Sequence, residues 1–362
     1  MSHVTFFIGN GFDLNVGLKT RYTDFYKIYT KQQSASKTVE WFKQVILQNE
    51  AYQWRDWADF EMGLAEQSIL FEEPKPAEAF LECFNDFSVA FNNHLTSECA
   101  RVHWDAFDKS SRIYQKFTRS IKGFHNAFRT EQKENIERLT HNILFSSKIN
   151  FLQFNYTDVF DKLIAKTGFE FSGKNLHIHG NMGGGYHTMG VDSIDQIGNE
   201  KIRKSSRVQN IFVKPKFMDL LQRHNIHHGN ERNEALKAIS ESSVICTFGS
   251  SIGETDRYWW KKVGEWLSSP NTNRFFIVFF KCGITDDGIS PLKILDSLTN
   301  SEDRRIGTLD RFIRLAELKP DWLKHNQHRI IIEVDMPLFD FELPMKSVEN
   351  FIIKREDKGL FM

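Results

Sequence analysis

The chain has 362 residues, of which 47 are Lys or Arg and 47 are Asp or Glu, so its formal net charge is zero, and 40% of it is hydrophobic. That length buries a sizeable core, as one large α/β domain with an insertion or as two domains, while a neutral chain has no global field to gather nucleic acid or anionic lipid. Four scattered cysteines (Cys83, Cys99, Cys246 and Cys282) without a Cys-x-x-Cys pair argue against a disulfide framework and a zinc ribbon.

The first apolar run, residues 4–8, reads as a strand buried on both faces and closes into Gly9-Asn10-Gly11-Phe12-Asp13. Closely spaced glycines there predict a phosphate loop whose following helix points free N–H groups at an anion. Asn-Gly is also a favoured hairpin turn, but no alternating second strand follows Gly11. Residues 31–145 carry helical patterns with few glycines, for example 77–94 and 113–128, and predict a helical insertion packed over the carboxyl edge of the sheet. Further strands are expected at 149–154, 176–179, 244–248, 275–280 and 330–334, with helices at 158–166, 233–239, 255–267 and 309–318.

Strands alternating with helices imply an open parallel sheet with right-handed crossovers. The expected organisation is an α/β, Rossmann-like core of residues 1–30 and 146–335, a helical insertion at 31–145 and a C-terminal extension at 336–362. The longest purely apolar run, 275–280, is far too short to span a bilayer, and no basic segment leads into an apolar stretch at the N-terminus. A cytoplasmic protein with no membrane partner is expected. The 33 Phe residues read as aromatic packing rather than base stacking.

Ligands of an open parallel sheet collect at the carboxyl ends of its strands. Four polar motifs fall there: Gly9 to Asp13, then Asn155-Tyr156-Thr157-Asp158, then His177-Ile178-His179-Gly180-Asn181, and finally Gly249-Ser250-Ser251-Ile252-Gly253-Glu254-Thr255-Asp256. His177 and His179, two apart on a strand and near His187, are expected on one face. They suggest a metal site or, more simply, a base at His179 beside a packed or hydrogen-bonded His177. No carboxylate stands at a fixed spacing from them, and no metal is expected.

Each of these motifs has a bland alternative. Asn155 could cap the helix that starts near Asp158, and Ser251 or Thr255 could cap the one after Gly249. Gly249-Ser250-Ser251-Ile252-Gly253 formally matches a nucleophile elbow, which would need a later acid and a histidine such as His325 or His328. His224, His227 and His228 read as a surface helix end. In the insertion, Trp57 and Phe60 fit a buried face, whereas Asp59 and Glu61 are solvated unless the insertion lids the pocket. The acid-free basic stretch Lys201, Arg203, Lys204, Arg207, Lys214 and Lys216 reads as a solvated loop beside an active site rather than a nucleic-acid surface.

In order, Gly-Asn-Gly-Phe-Asp-Leu (Gly9 to Leu14), Trp57-Ala58-Asp59-Phe60-Glu61, Asn155-Tyr156-Thr157, His177-x-His179-Gly180 and Gly249-Ser250-Ser251 resemble the AbiH family of phage abortive-infection proteins. The opening motif, continued by Gly17-Leu18, Thr20, Tyr22 and Asp24-Phe25, is the most specific part, with Lys19 standing where proline is usual. AbiH proteins look in turn like distant members of the sirtuin-like fold, which binds NAD across a parallel sheet. The resemblance implies that Gly9, Asn10, Gly11, Phe12 and Asp13 cover the cofactor. It places Asn155, with Tyr156 and Thr157, near the nicotinamide ribose, makes His179 before Gly180 the base, and puts Gly249, Ser250 and Ser251 on the adenosine side. Thr157 stands where sirtuins carry Asp, and their four-cysteine zinc module is absent, which counts against deacetylation.

The same resemblance implies an antiphage effector that hydrolyses NAD as its substrate, with His179 and Asn155 catalytic. A phage-derived activator and self-association are compatible with it. The alternative is a module that senses NAD or ADP-ribose without turnover.

Overall fold

The computed structural model describes residues 3–50, 59–72, 74–106, 112–128, 130–181, 186–224, 230–270, 273–280 and 291–346. Trp57, Cys282, His227 and His228 lie outside them. Alternation along β1 (His3–Ile8) sets the architecture: Val4, Phe6 and Ile8 enter one apolar cluster and Phe7 the opposite one, and all four are buried. A strand buried on both faces must be central. It pairs in parallel with β2 (Ile149–Gln153) on one side, and β2 pairs with β3 (Asn175–His177). A two-stranded antiparallel ribbon, β4 (Gly180–Asn181) and β5 (Tyr186–His187), follows. On the other side of β1 lie β6 (Ser242–Phe248), β7 (Phe275–Phe280) and β8 (Ile330–Val334), also parallel.

The six-stranded sheet runs β3-β2-β1-β6-β7-β8, an open Rossmann-like α/β order that reverses between β1 and β6. One face is covered by helices Arg112–Lys122, Thr130–Phe145 and Val159–Thr167, through Phe117, Ile121, Ile136, Leu144 and Phe160. The other is covered by Glu231–Ser240, Arg257–Leu267 and Pro291–Leu315, through Ala238, Trp260, Val263 and Phe312.

Residues 31–145 do not behave as one insertion. Helices Lys37–Gln48, Phe60–Glu66 and Pro76–Ala100 join Tyr22–Tyr29, Glu200–Lys204 and Ser206–Phe212 in a separate cap with its own apolar core. Helices Arg112–Lys122 and Thr130–Phe145 instead cover the sheet, because their apolar stripes occupy the face of β1 that the crossover to β2 must shield. The cap core is built on aromatic rings: Phe87 packs against Tyr22, Phe25, Tyr26, Tyr29, Phe60 and Phe91. The chain after β8 returns to pack Leu338, Phe339, Phe341 and Leu343 on the sheet. Among the described residues no helix is long and apolar enough to cross a membrane.

Candidate active site

At the reversal point the two glycine loops meet. Gly11 N–H donates to Gly249 O at 2.8 Å, and a Cβ on Gly11 would stand 2.5 Å from Gly249 Cα. Gly249 itself has φ +71°, a left-handed conformation that glycine adopts without strain. The first loop is therefore a packed junction rather than an open phosphate cradle. Phe12 N–H donates to Gly9 O and Leu14 N–H to Asn10 O, and the next helix, Gly11–Asn15, is a single short turn. The Asn10 amide is committed as well: its Nδ2 donates to Thr20 O at 3.0 Å and its Oδ1 accepts from the Thr20 hydroxyl at 2.6 Å. Phe12 points away, wholly buried against Phe160, Phe248 and Phe339.

Above this junction, between sheet and cap, lies a cavity of about 670 Å³. Of the residues singled out in the sequence, Gly9, Asn10, Gly11, Asp13, Asn155, Tyr156, Thr157, His179, Gly249, Ser250 and Ser251 line it; Phe12 and Gly180 do not. Asn155 follows β2, is 2% exposed, and neither amide atom has a hydrogen-bond partner. It does not cap the next helix, whose N-cap position is Asp158. Beside it, Asp13 Oδ2 accepts from the Thr157 hydroxyl at 2.6 Å, and Oδ1 is buried without a partner. Burial pushes the Asp13 carboxyl up to about 7, against the lowering effect of Thr157 and the neighbouring Asn155 amide.

His179 lies past the end of β3. Ile178 N–H donates to Gln153 O and His179 O accepts from Thr188 N–H, which aim the imidazole into the cavity against the Phe154 ring. Its Nε2 lies 2.8 Å from Asp256 Oδ1. Burial opposes the Asp256 charge, yet Lys214 and His179 hold that carboxyl well below its ordinary range. An ionised carboxylate only accepts, so the ring proton belongs on Nε2, leaving Nδ1 to take a proton.

Lys214, 6% exposed, ties the cap to the sheet: its Nζ lies 2.9 Å from Glu61 Oε2, 3.2 Å from Asp256 Oδ1 and 3.2 Å from Thr255 O. Although burial works against the ammonium, Asp256 and Glu61 push its pKa above the ordinary value. The far oxygen of Glu61 accepts from Tyr156 at 2.7 Å and from Tyr22 at 3.5 Å. Asp59 caps helix Phe60–Glu66 through the Glu61 and Met62 N–H groups, and burial, with the nearby Glu61 charge, raises its carboxyl to about 6. Asp59 and Glu61 both line the cavity, so the cap does lid the pocket, with Glu61 buried and Asp59 partly so.

Several sequence expectations change. His177 and His179 do not share a face: His177 is bonded to Asp161 at 2.9 Å, beside Gln153 and Asn175, away from the cavity. Among the described residues no group of His, Cys, Asp or Glu is placed to hold a metal ion. The basic stretch is not a loop but three helices, Glu200–Lys204, Ser206–Phe212 and Lys214–Arg223, and its Lys214 is buried. His224 sits at the exposed end of the last of them. The nucleophile-elbow reading fails on position. Ser251 follows β6 at the carboxyl edge, whereas His325 and His328 precede β8 at the opposite edge. Sequence reasoning missed Lys214 as a site residue and also Arg21, an exposed residue that lines the cavity.

A family model described as "Bacteriophage abortive infection AbiH" matches residues 5–278, which include every element that builds this cavity. No curated protein matches the chain, and no solved structure does. With well over half its length matched, through the cap and the polar strand ends alike, the chain belongs to the AbiH family of bacteriophage abortive-infection proteins.

Proposed function

We propose that this protein hydrolyses NAD to nicotinamide and ADP-ribose. Its AbiH membership gives it a role in phage abortive infection, and loss of NAD would arrest an infected cell. The observation that carries the reading is the pairing, in one cavity, of a buried Asn155 amide with both ends unpartnered and an imidazole oriented by a buried carboxylate. A volume of about 670 Å³ lies within the range of about 300–1,000 Å³ typical of small-molecule sites.

Cleavage of the bond between nicotinamide and C1′ of the ribose builds positive charge on the sugar, and nicotinamide leaves as a neutral base. The buried Asp13 carboxyl is suited to stabilise that charge when ionised. Asn155 offers one donor and one acceptor to the ribose hydroxyls or to the attacking water. The water oxygen bonds to C1′ as the C–N bond breaks, and its proton passes to His179 Nδ1, while Asp256 holds the opposite nitrogen. Lys214 and Glu61 act through Asp256 and the tyrosines, as positioning residues.

The test is nicotinamide release from NAD by the purified full chain, with and without phage components. His179→Ala and Asn155→Ala are each expected to lower turnover by ~10²- to 10⁴-fold. Wild-type rates in both variants would dismiss the assignment. NAD binding with no release under any condition would make the protein a nucleotide sensor instead.

A further inference from the structure

A dinucleotide in this cavity brings a pyrophosphate, and the first glycine loop offers it few donors, because the N–H groups of Gly9, Gly11, Phe12 and Leu14 are already bonded to Phe248, Gly249, Gly9 and Asn10. Lys214 offers none, since its three N–H bonds are used on Glu61, Asp256 and Thr255. The remaining Lys or Arg on the wall is Arg21, exposed and with no side-chain partner among the described residues. Arg21 is also the N-cap residue of helix Tyr22–Tyr29 and supplies no side-chain cap. The N–H groups of Tyr22 and Thr23, which come next on the cavity wall, have no acceptor among the described residues; the first bonds back to Arg21 O come from Asp24 and Phe25. Asp24, in the first turn, makes no bond to them.

The helix start is held rigidly. Asn10 grips Thr20 from the glycine loop, Lys19 N–H donates to Glu98, and His94 bonds Lys19 O at 2.8 Å. An independent sign of a ligand in the same cavity is the buried, unpartnered amide of Asn155.

We infer that Arg21 and the free N–H groups at the start of helix Tyr22–Tyr29 form the phosphate subsite of this cavity, taking the pyrophosphate of a dinucleotide whose ribose reaches Asn155. A guanidinium fork and an unoccupied helix start are complementary to the same anion. The ribose half of this inference rests on the NAD reading; the anion half does not.

Calorimetric titration of the full chain separates the two. Inorganic pyrophosphate is expected to bind the wild-type protein and to bind Arg21→Glu at least tenfold more weakly. Arg21→Lys should retain intermediate affinity, because it keeps the charge without the fork. Lys27→Glu, the same charge change at the far end of the helix, should shift affinity less than twofold. NAD should weaken in parallel with pyrophosphate in Arg21→Glu, whereas nicotinamide riboside, which carries no pyrophosphate, should bind both proteins alike. No pyrophosphate binding by the wild type, or equal binding by wild type, Arg21→Glu and Lys27→Glu, overturns the subsite. Pyrophosphate binding in the expected pattern without NAD binding keeps the subsite and removes the NAD reading.

Discussion

Replacing Lys214 with methionine is expected to destabilise the fold by about 3–5 kcal/mol at neutral pH, the cost of stranding buried charge. The ammonium faces Glu61 at 2.9 Å and Asp256 at 3.2 Å. At an effective dielectric near 20, each such contact is worth about 5 kcal/mol of Coulomb attraction, much of it offset by desolvation of the three ions. Methionine nearly conserves volume, so the loss is electrostatic rather than a cavity. Asp256 then loses the strongest influence that holds its carboxyl low against burial, so its folded-state pKa moves upward. Relative to wild type the native state binds protons more tightly, and the penalty grows as pH rises above about 4. The wild type sets the reference. There the Asp256 carboxyl is held low, and its contribution is present above the unfolded pKa and lost as pH falls through the folded value. Urea unfolding at pH 5 and pH 8 reads both effects, and the penalty should be smaller at pH 5. Adding Glu61→Gln to Lys214→Met should recover about 1 kcal/mol or more, since one stranded charge is gone and the acceptor for Tyr156 remains. A Lys214→Met protein within about 0.5 kcal/mol of wild type, or a penalty that ignores pH, would refute the reasoning.

Asn155→Leu should abolish nucleotide binding yet leave stability unchanged or raise it by about 1 kcal/mol, because an unpartnered buried amide is a cost to the folded state; a clear loss of stability would mean that the amide is satisfied in solution. His177→Ala should leave nucleotide binding intact while losing the pair with Asp161. Burial opposes the His177 charge, but the Asp161 bond and charge raise its pKa above the ordinary value, and Asp161 is correspondingly lowered. The stability gap between wild type and His177→Ala is thus expected to be full near pH 5–6, below the unfolded histidine pKa of about 6.5, and to shrink as pH rises through the folded value. Denaturant midpoints at pH 5.5 and pH 9 check this, and a gap that widens at pH 9 would contradict the assigned pair.

The strands were legible because they are buried on both faces: β1, β6 and β7 carry nearly continuous Phe, Ile and Val, a composition that little else in a chain of this type requires. The short strand β3 was less so. It ends at His177, and the turn beyond it sends His179 elsewhere, so the parity rule that put both histidines on one face had no strand to act on. Residues 112–145 were legible as helices but not as part of the sandwich. An apolar stripe such as Phe117, Ile121 and Phe124 looks the same whether it meets a sheet or another helix. Lys214 was hidden for a different reason. It sits in a run of basic residues without an acid nearby, and its carboxylate partners come from distant segments, so only tertiary structure separates it from its solvated neighbours.

The glycine loop shows how one local pattern admits two occupants. Glycines spaced as in Gly9-Asn10-Gly11 mean that something approaches the backbone more closely than a Cβ permits, and a phosphate is one such object. A second glycine backbone is another, and the sequence supplies one at Gly249, at the carboxyl end of the strand that neighbours β1. Two glycine clusters on adjacent strand ends satisfy each other's space and, through Gly11 N–H and Gly249 O, each other's hydrogen bonds. The anion subsite proposed at Arg21 follows from this, because the N–H groups of Gly9, Gly11, Phe12 and Leu14 are already bonded.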